Sequence, residues 1–208
     1  MSTLGRKASV ARYNRESLIS DDLIQSINPE VYQRKYVFEV AWEVVNKGQS
    51  FVSITFLHFI SNFIKMTSLN ITFFLLVGGI YTVIRTKAAS AVEELGDRYI
   101  LFGPLNEVCM RTEVDVAEPT NEALKRTVKA MREHGTKVVF GRWLIEGYPN
   151  VVLFDIGSSA WRIDSWKKEL WESCNIGIPV HDTECNDAVI FGALVAWFLK
   201  EVSELVLD

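Results

Sequence analysis

Hydrophobic and polar positions follow two patterns along the chain, and together they predict an α/β fold. Apolar runs of strand length occupy residues 36–40, 98–102, 136–143 and 150–156. Apolar residues at helical spacing predict helices over about 79–91, 120–134, 161–171 and 184–205. We expect Thr120 to cap the second of these helices and Gly135 to end it. The buried face of the last is predicted to consist of Ala188, Phe191, Leu194, Val195 and Phe198. Alternating strands and helices predict a mainly parallel sheet flanked by helices, whose ligands gather at the carboxyl ends of the strands.

The first 30 residues lie outside this pattern. Residues 1–30 are polar and mixed in charge, which predicts a flexible tail and leaves 31–208 for the folded domain. Ser9 follows basic residues in a pattern that basophilic kinases favour, and Ser17 and Ser20 come after it. Phosphorylation by such protein kinases would add about −1.5 to −2 charges per site. A tail without a regulatory role is the alternative, because short kinase patterns also match by chance.

Composition excludes several classes of protein. The hydrophobic content of 49% and charged content of 23% are ordinary for a globular domain. A formal charge of −4 without a basic patch argues against nucleic acid as a partner. Three cysteines without CxxC spacing and three scattered histidines suggest neither a disulfide framework nor a metal site, so no metal is expected. The amino terminus lacks the apolar core of a signal peptide, which favours a reducing, cytoplasmic setting.

The residues on either side of segment 48–76 predict a phosphate-binding turn. The first strand run ends with WEVVNK at Lys47, and VGGIYTVIRTK opens a helix at Val77. Joined directly, they give a strand, a short turn and an amphipathic helix whose positive end can hold an anion. Lys47 would add a cation, and Gly78 and Gly79 would let the backbone approach an oxyanion closely. A purely conformational role for the glycines is the alternative.

The intervening segment 48–76 differs in composition from the rest of the chain, with no acidic residue and one lysine. A transmembrane helix is disfavoured by Lys65 and by recurring polar residues, and a loop of this length is unusual in a βα connection. A translated, unspliced intron is the third interpretation, since Gly48 and Leu76-Val77 fit in-frame GT and AG splice boundaries. We expect this segment to leave the sheet as a poorly packed excursion.

With that segment set aside, the chain closely resembles the N-terminal part of eukaryotic glycogen synthase. The matching pieces are FEVAWEVVNK with VGGIYTVIRTKA, LFGPLNE, ALKRT, VVFGRWLIEG, VVLFDIGSSAW, WKKELW and NDAVIFGALVAWFL. The resemblance implies the Rossmann-like N-terminal domain of a GT-B glycosyltransferase. It implies retaining transfer of glucose from UDP-glucose to the nonreducing 4-hydroxyl end of glycogen, with no cofactor or metal. Glycogenin and further copies of the subunit, as a homo-oligomer, are the implied protein partners.

Matched motifs imply further site residues. Asn186 and Asp187 are expected nearest the reacting sugar, with a helix cap as the alternative. Arg142 and Glu146 in GRWLIEG are expected to line the cleft floor, with a structural Arg–Glu pair as the alternative. The tryptophans of GRWLIEG and GSSAW could stack on sugars, but a place in the core is favoured for both.

The resemblance also implies that a complete family member is longer than this chain. An HFHEW-like segment and a C-terminal domain, with most UDP-glucose contacts and an Arg-rich helix that senses glucose 6-phosphate, would follow Asp208. We therefore expect this chain to be an inactive fragment. The alternatives are a noncatalytic module that binds glycogenin or full-length subunits, and a membrane-tethered protein anchored through 49–76.

Overall fold

One six-stranded sheet organises the computed structural model, which describes residues 36–46, 72–75 and 80–207. The strands are β1 Val37–Val40, β2 Thr72–Leu75, β3 Tyr99–Pro104, β4 Val114–Val116, β5 Val138–Trp143 and β6 Asn150–Phe154. The helices are α1 Ile80–Leu95, α2 Glu107–Glu113, α3 Glu122–Glu133, α4 Ile163–Cys174 and α5 Thr183–Leu207. Short 3-10 turns occupy Gly96–Arg98 and Gly157–Arg162.

The sheet is mainly parallel, as the sequence predicts. Its strand order is β2-β1-β3-β6-β5-β4, and neighbours from β2 through β6 pair in parallel. Only β5 runs against the other described strands, since it pairs antiparallel with both β6 and β4. A parallel connection needs a crossover of about a dozen residues or more, and the loop between β5 and β6 is much shorter.

Both faces of the sheet are buried, as continuous apolar strands predict. Phe38 and Phe102 lie in a core with α3, α4 and α5, whereas Leu101 lies in a second core with Ile84 and Ala88 of α1. The predicted inner face of α5 is confirmed, because all of its members are buried: Ala188, Phe191, Leu194, Val195 and Phe198. Helices therefore cover the two faces, and the ends of the strands remain for ligands.

Helix boundaries show where sequence signals were ambiguous. The predicted cap Thr120 is wrong by one residue, because the Oδ1 of Asn121 accepts the N–H of Leu124 at the start of α3. Gly135 ends that helix in the left-handed region, as predicted. The sequence did not predict the short helix α2 or strand β4. Asn106 nucleates α2 by accepting the N–H groups of Val108 and Cys109, a contact that needs only a few residues.

Part of segment 48–76 belongs to the sheet. Thr72–Leu75 forms the edge strand β2, paired in parallel with β1 over four residues. The expectation of an excursion is therefore wrong for 72–75, because an open strand edge readily pairs with another β-forming segment. Residues 48–71 and Leu76 lie outside the described residues, as does the 1–30 tail. No helix in the described part of the chain combines the length and apolarity that a membrane crossing requires.

A buried carboxylate joins α1 to the centre of the sheet. Glu39, in the middle of β1, has no exposed side-chain surface. Its Oε2 accepts a 2.5 Å hydrogen bond from the hydroxyl of Tyr99, and its Oε1 lies 2.7 Å from the Nζ of Lys87 on α1. Burial and the neighbouring carboxylate raise the pKa of Tyr99 far above its ordinary value, so the tyrosine stays a donor. A buried charge requires such partners, and this one fixes the helix to two strands.

Replacing Lys87 by Met should leave the Glu39 carboxylate buried without its cation. We expect urea unfolding to show a loss of about 2–3 kcal/mol, reduced from the fully buried case because Lys87 is partly exposed. Adding Glu39→Gln should restore part of this loss, since a neutral amide needs no cation. The control Lys129→Met breaks an exposed pair with Glu133 and should change stability by less than about 0.5 kcal/mol. Equal losses from Lys87→Met and Lys129→Met would contradict the assignment.

Candidate site at the carboxyl edge of the sheet

Three loops and α5 meet at the carboxyl edge of the parallel strands. After β1, the side-chain amide of Asn46 donates to the carbonyl of Pro104 at the end of β3, at 2.9 Å. Leu105, the residue after Pro104, donates its N–H to the carbonyl of Phe154 at the end of β6, at 2.7 Å. The ring of Trp42 packs edge-on against Phe191 in α5, with centroids 5.4 Å apart. In parallel α/β sheets this edge is where ligands bind.

The turn after β1 is strained and has an unsatisfied polar atom. Val45 has φ of 65°, a left-handed conformation that is unfavourable for a β-branched side chain. Asn46 is 2% exposed, and its amide nitrogen donates to Trp42 and Pro104 carbonyls. Its Oδ1 is buried without a hydrogen-bond partner. Strained backbone and an unpaired buried acceptor are both unfavourable for stability, and such features concentrate at binding sites.

A carboxylate of the chain lies at the amino terminus of α1. Glu43 is 4% exposed, and its Oε2 accepts the backbone N–H of Tyr81 at 2.7 Å. Tyr81 is the second residue of α1, so this contact uses the positive end of the helix at which the sequence predicted an anionic ligand. The sequence did not indicate Glu43, because it lies 38 residues before its partner along the chain.

Several predicted site residues lie outside the described residues. They are the proposed phosphate-binding Lys47, Gly78 and Gly79, and the candidate phosphorylation sites Ser9, Ser17 and Ser20. Their roles stay predictions.

Asn186 and Asp187 lie in the first two turns of α5, five and four residues before Phe191, which contacts Trp42. Asp182 caps the helix, because its Oδ1 accepts the N–H of Cys185 at 3.0 Å and its carbonyl accepts the N–H of Asn186. These hydrogen bonds hold the pKa of the Asp182 carboxyl below its ordinary value. The interpretation of Asn186 and Asp187 as capping residues is therefore wrong.

Asn186 has an unpaired side-chain oxygen, and Asp187 has a partly buried carboxyl group. The amide of Asn186 donates to the carbonyl of Val180 at 3.4 Å, and its Oδ1 is buried without a partner. Burial raises the pKa of the Asp187 carboxyl above its ordinary value. A perturbed carboxyl and an unpaired acceptor are features that concentrate at functional sites, and the role of the two residues in contacting substrate stays a prediction.

Arg142 and Glu146 lie at the opposite edge of the sheet. Because β5 is antiparallel, Arg142 pairs with Asn150 at the amino end of β6. It contacts Asp97, with 3.4 Å between Nη2 and Oδ1, and not Glu146 as the structural alternative supposed. The exposed Glu146 follows in the same hairpin loop. The structure does not bring either residue to the carboxyl edge, and their place on a cleft floor stays a prediction.

The two tryptophans have different environments. Trp143 is fully buried, as predicted for a core residue, and its Nε1 donates to Glu113. Trp161 is 74% exposed, so its prediction as core is wrong. In the 3-10 turn Gly157–Arg162 the buried side chain is Ser159, and Trp161 instead lies beside the guanidinium of Arg162.

Two side-chain oxygens, one in the turn after β1 and one in the first turns of α5, are buried without a hydrogen-bond partner: those of Asn46 and Asn186. Such oxygens suit the hydroxyl groups of a sugar. The described residues contain no group of three or more His, Cys, Asp and Glu side chains that could hold a metal ion.

A mainly parallel sheet with helices on both faces and polar groups at its carboxyl edge defines a Rossmann-like domain. The family model described as glycogen synthase matches residues 71–207, and the chain belongs to the glycogen synthase family. The fold is accordingly that of the Rossmann-like domain of a GT-B glycosyltransferase. The match begins inside segment 48–76.

Curated relatives agree with this assignment. The chain is 51% identical to liver glycogen (starch) synthase of Homo sapiens over 168 residues, which cover 81% of the chain and 20% of the relative. It is 43% identical to glycogen (starch) synthase of Caenorhabditis elegans over 193 residues, covering 93% of the chain and 24% of the relative. The Neurospora crassa enzyme of the same name is 49% identical over 125 residues, or 60% of the chain and 18% of the relative. The chain thus spans about a fifth of the length of these relatives.

Asp187→Asn should stabilise the chain near neutral pH. A carboxyl whose pKa is raised by folding favours the folded state when protonated, and this stability is lost as pH rises through the folded-state pKa. We expect a higher melting temperature than the parent at pH 7, and a difference that shrinks as pH falls toward about 3. The control Asp164→Asn, exposed in the first turn of α4, should show no such pH-dependent gain. A pH-independent difference for Asp187→Asn would contradict the burial argument.

Proposed function

We propose that this chain is the N-terminal part of a UDP-glucose-dependent glycogen synthase, which transfers glucose with retention to the nonreducing 4-hydroxyl end of glycogen. Family membership carries the proposal, since the chain matches the glycogen synthase model over residues 71–207. The carboxyl edge supports it, because buried acceptors at the end of β1 and the start of α5 suit a sugar.

Five of the predicted site residues have a chemical task in this reaction. The bond between the glucose C1 and the UDP oxygen breaks, a bond from C1 to the acceptor 4-oxygen forms, and the proton of the 4-hydroxyl passes to the departing UDP. Asn186 and Asp187 would accept hydrogen bonds from sugar hydroxyls and hold the ring in place. Lys47, with the backbone at Gly78 and Gly79, would stabilise charge that develops on the departing UDP.

The partners and setting follow from the same proposal. Charge on UDP would be balanced by cationic side chains and backbone N–H groups, so no metal or other cofactor is required. Glycogenin, further copies of the subunit and kinases that act on the 1–30 tail are its proposed protein partners, in the cytoplasm. The chain alone would be inactive, since most of the cationic groups around UDP would come from other parts of a complete enzyme.

A chimeric enzyme tests the function of this domain. The aligned N-terminal region of the human liver relative would be replaced by this chain, either complete or without residues 48–76. We expect the chimera without 48–76 to transfer labelled glucose from UDP-glucose to glycogen, and the chimera that retains 48–76 to lose most activity. In the active chimera, Asp187→Ala should reduce kcat by at least about 10²-fold, because it removes a contact to the reacting sugar.

These measurements distinguish three claims: the proposed function, the effect of segment 48–76 and the inactivity of the chain alone. Absence of transfer by a folded chimera without 48–76 would contradict the proposed function. Equal activity with and without 48–76 would show that the segment is compatible with catalysis. The purified 208-residue chain should show no transfer, and turnover near that of the full-length relative would overturn its assignment as an inactive part.

A further inference from the structure

We propose that the exposed ring of Trp161 and the guanidinium of Arg162 form a second contact site for glycogen, apart from the reacting sugar. A glucose unit of an α-1,4-linked chain stacks on the indole there, and the guanidinium donates hydrogen bonds to the oxygens of that chain. This inference rests on the proposed function, in which glycogen is the acceptor, and it adds a site that the reaction itself does not use.

The ring of Trp161 presents an open aromatic face. Its side chain is 74% exposed, and the guanidinium carbon of Arg162 lies 5.5 Å from the ring centroid. Because Arg162 covers part of one face, the exposed area includes the opposite face. A glucose ring has an apolar face of C–H groups and a rim of hydroxyl groups. It can therefore stack on a flat aromatic ring while its hydroxyls remain hydrogen-bonded.

Arg162 is held among three tryptophans with its donors unused. Its guanidinium carbon lies 5.2 Å from the ring centroid of Trp166 and 5.0 Å from that of Trp197, in addition to the contact with Trp161. Trp197 is itself held, since its Nε1 donates to Glu201 at 3.0 Å. Among the residues that the structure describes, none accepts a hydrogen bond from the Arg162 side chain or forms an ion pair with it. The N–H donors of the guanidinium therefore remain for the oxygens of a ligand.

The turn that carries Trp161 is fixed without a ligand. The buried hydroxyl of Ser159 lies 2.9 Å from that of Thr136, and the hydroxyl of Ser158 accepts the backbone N–H of Lys137 at 3.0 Å. Both contacts attach the 3-10 turn to the segment that precedes β5. A preorganised aromatic ring loses little conformational entropy when a ligand stacks on it, which favours binding.

The surroundings of Trp161 suit a carbohydrate better than a protein partner. The nearest exposed residues along the chain are Ala160, Asp164 and Ser165, which are small or polar. A stable protein interface buries about 800 Å² on each partner around a largely apolar centre, and one tryptophan among polar residues does not supply that centre. A sugar requires only one aromatic face and a few well-placed donors.

Helix α5 separates this site from the residues predicted to contact the reacting sugar. Trp197 lies ten residues after Asp187 in the continuous helix Thr183–Leu207, which is about 15 Å along its axis. A branched polymer can occupy two such points at once. Holding one part of the polymer at Trp161 raises the effective concentration of its chain ends near α5.

Titration of the 208-residue chain with maltoheptaose, an α-1,4-linked glucose chain, tests this site. Trp161→Ala removes the stacking face, so we expect the affinity measured by calorimetry to fall about ten-fold. Arg162→Lys keeps the charge but replaces the planar donor group by a flexible ammonium group, and should weaken binding about three-fold. The matched control Trp171→Ala removes a 57% exposed tryptophan from α4, and should leave the affinity within about two-fold of the parent.

The pattern among these variants separates sugar binding from a purely structural role. If Trp161 only shields Arg162 from water, Trp161→Ala would bind maltoheptaose as tightly as the parent, and that result would overturn the proposal. Absence of binding by the parent would overturn it as well, as would an equal loss from Trp161→Ala and Trp171→Ala. Unchanged binding by Arg162→Lys would contradict the role given to the guanidinium.

A measurement on the unsubstituted chain covers the case in which a variant does not fold. The indole N–H resonance of Trp161 should move as maltoheptaose is added, because a sugar stacked on the ring changes its magnetic environment. A resonance that stays in place up to saturation would overturn the proposal. These measurements require no glucose transfer, so failure of the proposed function in the chimera remains distinguishable from failure of this inference.

Discussion

The buried carboxylate of Glu39 is the constraint on which the rest of this domain depends. A charge in the middle of a central strand is strongly unfavourable unless it is paired, and its partners come from two other elements, Lys87 on α1 and Tyr99 on β3. Satisfying one side chain therefore requires β1, β3 and α1 to be assembled together. A hydrophobic residue at this position would pack without specifying which helix lies over the strand, whereas the ion pair does specify it.

Sequence patterning predicted the elements well where burial dominates. The inner face of α5 and the strands around Phe38 and Phe102 follow directly from apolar periodicity. Local hydrogen bonds decide what periodicity misses, as with Asn106 at the start of α2. Apolar periodicity also does not predict strand direction. β5 is antiparallel because the loop between β5 and β6 is too short for a parallel crossover. Because β5 is antiparallel, Arg142 lies at the amino ends of the parallel strands, away from the site.

The candidate site was only partly predictable for a related reason. A pair such as Asn186-Asp187 at a helix start has the composition of a cap, and only the structure shows that Asp182 already caps the helix. Because Asp182 caps the helix, neither the raised pKa of Asp187 nor the unpaired Oδ1 of Asn186 reflects a contact that stabilises the fold. Glu43 shows the converse: its partner is 38 residues away along the chain, so no local motif indicates the contact.

Because the connection between β1 and α1 is long, the position of the helix depends on its contacts with β1 and the residues that follow it. Loop-closure entropy rises by only about 0.6 kcal/mol for each doubling of length, so extending a βα connection from about 5 to about 40 residues adds about 2 kcal/mol. The contacts of Glu39 and Glu43 with α1 are of comparable size, about 1.5–3 kcal/mol for a hydrogen bond to a charged group, and can offset that cost. Glu39 holds the middle of the helix through Lys87, and Glu43 holds its start through the N–H of Tyr81, so the two contacts fix α1 at two points along its axis.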